Sequence, residues 1–192
     1  MSNIFFNNLK EFTTLSSLIS NFDKKVALAS EMIVKTLKKD STLFFCGNGG
    51  SAADSQHLVG EYISNFTLKN RAPIKAMCLT SNVSNITAIA NDITYDDIFI
   101  RQITPFLDKN STVIVLSTSG NSKNIIKLVK FLSKKNINVI SFTKNSSNLT
   151  KKYSDINFSI PSKRTDRTQE IYLFLNHTIC EIVEKKLFLR NP

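Results

Sequence analysis

Apolar positions follow two rhythms along this chain. Between residues 3 and 39 they recur every three to four positions, at Phe5, Leu9, Phe12, Leu15 and Leu18, then at Val26, Leu28, Met32, Ile33 and Leu37. That spacing predicts two amphipathic helices, with Asn21 or Asp23 placed to cap the second. The rhythm then changes to short continuous apolar runs. Leu43–Cys46 leads into a polar turn, Gly47–Ser51, and a helical pattern from Ala52 to Phe66. The order strand, turn, helix recurs: Ile74–Leu79 is followed by helical stretches at 84–90 and 96–107. Thr112–Leu116 is followed by the turn Ser117–Ser122 and the helix Lys123–Lys134. Ile137–Phe142 and Ile156–Ile160 complete five strands, and Pro161 begins the turn into a last helix, Asp166–Lys186. Continuous β-branched runs alternating with amphipathic helices imply a parallel sheet covered on both faces.

No repeat, low-complexity stretch or long linker interrupts this order. A chain of 192 residues is long enough for one α/β domain with a real core and too short for two ordinary ones. The expectation is one domain over 1–192. The composition, 42% hydrophobic and 21% charged, is that of a soluble globular protein. No apolar run approaches the ~20 residues needed to cross a bilayer. The start, MSNIFFNNLKEF, lacks a basic segment, a long apolar core and a small-residue cleavage site. Cys46, Cys78 and Cys180 are odd in number and widely spaced, which suits free thiols in a reducing cytoplasm.

The net charge of +10 raises the question of nucleic acid. The lysines, however, come as scattered doublets, at 24–25, 38–39, 134–135, 151–152 and 185–186. Most sit near expected helix ends, where they complement the helix dipole, and no segment interleaves them with aromatics. A solvated basic surface that attracts anionic substrates fits better than a nucleic-acid interface.

Open parallel sheets bind ligands outside the carboxyl ends of their strands. Gly47–Ser51 and Ser117–Ser122 both lie at such ends. Their glycines admit an anion close to backbone amides that open the next helix, and their hydroxyls add donors. Neither is a nucleotide-binding motif, and one such loop alone reads more readily as a tight turn with a capping serine, whereas two at adjacent strand ends favour anion binding. The chain has only two histidines. His57 lies one turn before Glu61, and His177 lies two turns after Gln169 on the last helix. A lone helical histidine is more often a satisfied core or surface residue; the His57–Glu61 pair is a stronger signal. These four residues offer donors suited to zinc or a similar divalent ion, and also a carboxylate and an imidazole able to move protons. Whether the two helices meet is left to the fold.

Four segments, Cys46–Glu61 (CGNGGSAADSQHLVGE), Ile89–Ile103 (IANDITYDDIFIRQI), Leu116–Ile126 (LSTSGNSKNII) and Asp166–Glu184 (DRTQEIYLFLNHTICEIVE), closely resemble the phosphoheptose isomerases. These are a branch of the sugar isomerase (SIS) domain family. The resemblance is collinear over nearly the whole chain. It implies an α/β/α sandwich of three layers with a five-stranded parallel sheet, residues 1–39 forming N-terminal helices on the sheet and at subunit interfaces. It also implies a cytoplasmic homotetramer with interface active sites, acting on a sugar phosphate, with no nucleic-acid or membrane partner. By motif, His57, Glu61, Gln169 and His177 match the ligands of one zinc per subunit, and Glu61 and His177 the acid–base pair. Asn48, Gly49, Gly50, Ser51, Glu61, Asn91, Asp92, Ser117, Thr118, Ser119, Ser122, Asp166 and Gln169 match substrate contacts, the serine-rich loop holding the phosphate.

The implied reaction converts sedoheptulose 7-phosphate to D-glycero-D-manno-heptose 7-phosphate through a cis-enediol, for lipopolysaccharide or capsule heptose. Ser81-Asn82, Thr94-Tyr95 and the basic Ser162-Lys163-Arg164 depart from the family pattern without touching the catalytic set. Related SIS proteins serve as non-catalytic adaptors, one of them assembling a replication initiator on DNA. They lack the glutamate and the terminal-helix histidine, so Glu61 and His177 favour the enzyme. A sugar-phosphate-sensing regulator would carry a DNA-binding domain, and this sequence contains none.

Overall fold

The computed structural model describes residues 2–189. Its sheet contains β1 (Leu43–Gly47), β2 (Ala76–Cys78), β3 (Thr112–Leu116), β4 (Asn138–Lys144) and β5 (Ile156–Ile160), in the order β2-β1-β3-β4-β5. All four pairings are parallel. Parallel strands need crossovers, and helices supply them: α3 (Gly50–Ile63), α4 (Val83–Asp92), α5 (Ile98–Ile103), α6 (Lys123–Lys134) and the single turn α7 (Leu149–Lys152). Two helices precede the sheet, α1 (Ser2–Leu18) and α2 (Asp23–Lys38), and α8 (Thr165–Phe188) follows it.

Side chains alternate across each strand, so the sheet divides the core in two. Leu43 and Phe45 join Ile114, Ile140 and Phe158 beneath residues of α2, α3 and α8. Phe44 and Cys46 join Val113, Val115 and Val139 beneath α5 and α6. These are the three layers expected. The stacked rings of Phe142 and Phe158, 4.6 Å apart and nearly coplanar, sit on the α8 side of the sheet. Cys46, Cys78 and Cys180 are free and buried.

Several local expectations need correction. The stretch at 96–107 is not one helix: 3-10 turns at Tyr95–Asp97 and Thr104–Phe106 flank α5. Pro105 has no N–H to bond back to Arg101, which ends the α-helical ladder. Neither Asn21 nor Asp23 caps α2 through its side chain, because the turn Ser20–Phe22 runs directly into the helix. Lys24 and Lys25 open α2 rather than close a helix, whereas Lys38, Lys134, Lys185 and Lys186 do sit in last turns. The β2 strand is a three-residue edge, and α3 begins inside the glycine turn at Gly50.

The strand order fixes where ligands go. From β1 the chain crosses to β2 on one side, and from β3 it crosses to β4 on the other. Gly47 pairs with Leu116 at the carboxyl ends of β1 and β3, so the two polar turns leave the sheet side by side at this reversal point.

Candidate active site

The turn after β1 delivers α3, and its fit depends on the absence of a side chain at Gly50. A Cβ there would lie 2.5 Å from Nε2 of Gln169 on α8. Ser51 Oγ lies 2.8 Å from Tyr172 Oη, which donates to Asp54 Oδ2 at 2.8 Å. With its single proton committed to the carboxylate, Tyr172 must accept from Ser51. Burial raises the Tyr172 pKa well above its ordinary value, so the hydroxyl keeps that proton.

Two turns further along both helices, α3 and α8 bring together the residues proposed for chemistry. His57 Nε2 lies 3.0 Å from His177 Nε2 and 3.3 Å from Glu61 Oε1. Ligand atoms of the three all fall within 4.8 Å of one another. Burial, and then the neighbouring His57, lower the His177 pKa against an opposing pull from Glu61. His177 is therefore a neutral imidazole at pH 7, the form that binds metals and accepts protons. Bonds of 2.0–2.1 Å to a tetrahedral zinc put neighbouring ligand atoms about 3.3 Å apart. The donor set and its spacing therefore fit a zinc-like cation. Gln169 lies two turns earlier on α8, its amide against Gly50 in the glycine turn and apart from the cluster of three.

The turn after β3 is built to leave donors free. Ser122 holds the N-cap position of α6 but makes no side-chain cap bond, and Gly49 does the same for α3. The capping-serine reading of these turns therefore fails for Ser122, whose hydroxyl is available to an anion together with the Lys123 and Asn124 amides, the Ile125 amide being taken by Asn124 Oδ1 at 2.9 Å. Ser117 Oγ accepts from Gly120 N at 3.2 Å and Ser119 Oγ from Asn121 N at 3.2 Å, while Ser119 stays exposed. Thr118 is pinned through its carbonyl by Lys144 N at 3.0 Å. Gly120 has φ +64, and a Cβ there would meet Asn148 at 2.5 Å. Thr150 donates its hydroxyl to the Gly120 carbonyl at 2.7 Å, so the β4–α7 segment braces the turn from behind.

Asn91 and Asp92 close α4, exposed, with Asn91 Nδ2 on Asp92 Oδ1 at 2.8 Å. The next turn reaches back to the glycine loop: Tyr95 Oη donates to Asn48 Oδ1 at 3.0 Å. Asp166 is exposed at the start of α8, where Arg164 chiefly holds its pKa down to about 2. Arg164 also reaches Glu11 at 3.0 Å and Asn8 at 2.8 Å on α1. The unexpectedly basic Ser162-Lys163-Arg164 segment thus clasps α1 to α8.

Sequence reasoning missed Asn124, Tyr95, Tyr172, Asp54, Phe66, Arg71 and Glu184. Tyr172 was findable, three residues after Gln169 on one helical face. The others depend on contacts between distant segments.

A family profile described as SIS domain matches residues 5–144. A phosphoheptose isomerase of Clostridium acetobutylicum is 40% identical over 82% of this chain and 80% of its own length. That of Aliarcobacter butzleri is 36% identical over 93% of this chain and 96% of its own. The solved phosphoheptose isomerase of Neisseria gonorrhoeae superposes with a TM-score of 0.89 at 28% identity, covering 96% of this chain and 98% of that one.

Proposed function

The chain belongs to the SIS domain family, in its phosphoheptose isomerase branch, and from that membership we propose that it converts sedoheptulose 7-phosphate to D-glycero-D-manno-heptose 7-phosphate. It is an isomerase of the aldose–ketose type. The observation that carries the reading is the meeting of His57, Glu61 and His177 on α3 and α8, with α3 springing from one of two donor-rich turns that leave the sheet side by side.

The phosphate is held by Ser119, Ser122 and the α6 amides, with Ser117 and Thr118 shaping the turn. Asn48, Gly49, Gly50, Ser51, Asn91, Asp92, Asp166 and Gln169 face the sugar. Glu61 faces His57 through Oε1, leaving Oε2 to take the C1 proton. His177, uncharged at rest, takes the O1 hydroxyl proton as the C1 carbonyl forms and, as the imidazolium so made, returns a proton to C2, while the protonated Glu61 supplies the proton at O2; the two exchange roles in the reverse direction. Remote phosphate binding positions the reacting carbons between them. His57, Glu61 and His177 would hold one zinc ion per subunit, whose positive charge would stabilise developing enediolate oxygens; Gln169, matched to the same set by motif, has its amide against Gly50 about two turns along α8. Metal analysis after mild chelation and reloading should give at most one zinc per chain, and His57→Ala should abolish it; undiminished zinc in that variant would remove the assignment.

The chain acts as one SIS unit in a cytoplasmic homotetramer. Phe5, Phe6, Leu9 and Phe12 on α1 and Phe174 on α8 are exposed, beside a groove of about 420 Å³ between α1, α2 and α8. Apolar surface of this kind fits a second copy. His57 is 49% exposed by side chain, which fits a site closed by a neighbouring subunit. Among the described residues no helix is long and apolar enough to cross a membrane. Purified protein given sedoheptulose 7-phosphate should yield an aldose phosphate. An adaptor of the replication-initiator type would leave it unchanged.

A further inference from the structure

The segment linking α3 to β2 has no regular structure of its own, yet one buried carboxylate organises it. Glu184, on α8, is fully buried. Its Oε1 accepts from Phe66 N at 3.2 Å and Arg71 Nε at 2.5 Å. Its Oε2 accepts from Thr67 N at 2.8 Å, Thr67 Oγ1 at 2.5 Å and Leu68 N at 3.0 Å. The backbone amides that a strand or helix would have satisfied are satisfied by this side chain instead. Two consequences reach the site. Arg71 donates to the carbonyls of Glu61 at 2.6 Å and Tyr62 at 2.9 Å, closing the last turn of α3. Phe66 lays its ring on the His177 imidazole, with centroids 5.5 Å apart and planes 25° from parallel.

We propose that Phe66 is a positioning residue for His177, held in place by Glu184, so that this strap sets both proton-transfer groups in register. The inference rests on the function proposed above. The ring restricts rotation of the imidazole and keeps Nε2 turned toward His57 and Glu61. Glu184 stands seven residues, two turns, beyond His177 on the same face of α8. One rigid helix therefore carries the imidazole and the anchor of the ring that orients it, while Arg71 ties the same anchor to the turn bearing Glu61.

The test compares Phe66→Leu with Phe66→Tyr, because Glu184 variants leave the buried Arg71 without its counter-charge and risk unfolding. Leucine fills the space without a flat face; tyrosine keeps the face. Phe66→Leu should lower kcat about tenfold and weaken zinc binding to the metal-free protein by a similar factor. KM and the inhibition constant for inorganic phosphate should stay within about twofold, since the phosphate turns lie elsewhere in the site. Phe66→Tyr should retain wild-type kcat and zinc affinity. Equal losses in both variants, or a Phe66→Leu protein that loses thermal stability with kcat and zinc affinity intact, overturn the positioning role. Wild-type protein inert toward ketose phosphates overturns the function on which the inference rests, and the zinc comparison then reads the geometry by itself.

Discussion

Asn48 and Asn124 exchange side-chain hydrogen bonds in both directions, each amide nitrogen 2.9 Å from the other's oxygen. Asn48 belongs to the turn after β1, and Asn124 stands two residues past Ser122 on α6. The pair therefore locks together the two turns that flank the reversal point of the sheet. Tyr95 adds a third strand to the lock, since its hydroxyl donates to the same Asn48 oxygen at 3.0 Å. That oxygen is saturated by two donors, so Asn48 can offer a substrate only an amide N–H.

Removing the tyrosine hydroxyl should loosen the turn without unfolding the protein, because Tyr95 is half exposed. Tyr95→Phe should raise KM about fivefold, the value of one hydrogen bond of ~1 kcal/mol, with little change in melting temperature. Adding the same change to Asn48→Ala should cost nothing further, since the hydroxyl acts through Asn48. Additive losses in the double variant would mean that Tyr95 meets the substrate independently.

The serine turn separates binding from folding. Ser119→Ala and Ser122→Ala should each weaken binding of sugar phosphate and of free phosphate by roughly 1.5–3 kcal/mol, with thermal unfolding nearly unchanged. Gly120→Ala should weaken both binding and stability, since it places a Cβ at positive φ and against Asn148. Titration calorimetry with inorganic phosphate, run beside thermal melts, distinguishes these cases. Wild-type phosphate affinity in both serine variants would reduce the segment to a turn.

Glu184 makes the fold acid-labile. Burial pushes its pKa up, but hydrogen bonds from Thr67, Arg71 and the strap amides outweigh burial and hold it at about 2, against an ordinary 4.5. A carboxyl whose pKa is depressed by folding stabilises the protein fully above its unfolded value and loses that contribution as pH falls through its folded value. The window is thus from 4.5 down to about 2, and the contribution is about 3 kcal/mol. Urea unfolding followed through this range should show stability falling steeply in wild-type protein. Glu184→Gln should be less stable at neutral pH and flatter below it; an unchanged acid slope would refute the assignment.

Much of this was legible because it is local. The run Leu43–Cys46 into a glycine turn, the β-branched Thr112–Leu116 into a serine turn, and the His57–Glu61 spacing all depend on neighbours within a few residues. Their side-by-side placement followed from parallel-sheet logic, which the register of Gly47 with Leu116 bears out. The break at Pro105 was also written in the sequence, although the apolar periodicity across it suggested one helix. The meeting of His57 with His177, 120 positions apart, was not legible. It depends on how α3 crosses α8, and so on side chains packed between them. Glu184 reads in sequence as one more charged residue near a helix end, because nothing local reports that Arg71, 113 positions earlier, turns inward to meet it.

The central claim is that Glu61 and His177 pass a proton between neighbouring carbons of a ketose phosphate. Conversion of sedoheptulose 7-phosphate in deuterated water, followed by NMR, tests it most directly. Wild-type protein should produce an aldose phosphate carrying solvent deuterium at C2. Glu61→Gln keeps the side-chain shape but removes the base, and should lower kcat at least ~100-fold with no measurable deuterium entry. His177→Asn should do the same, and the double variant should be little worse than either, since both groups act on one intermediate. A wild-type protein that leaves the ketose phosphate unaltered, with zinc supplied, or a Glu61→Gln protein that still labels C2 at the wild-type rate, would contradict the account.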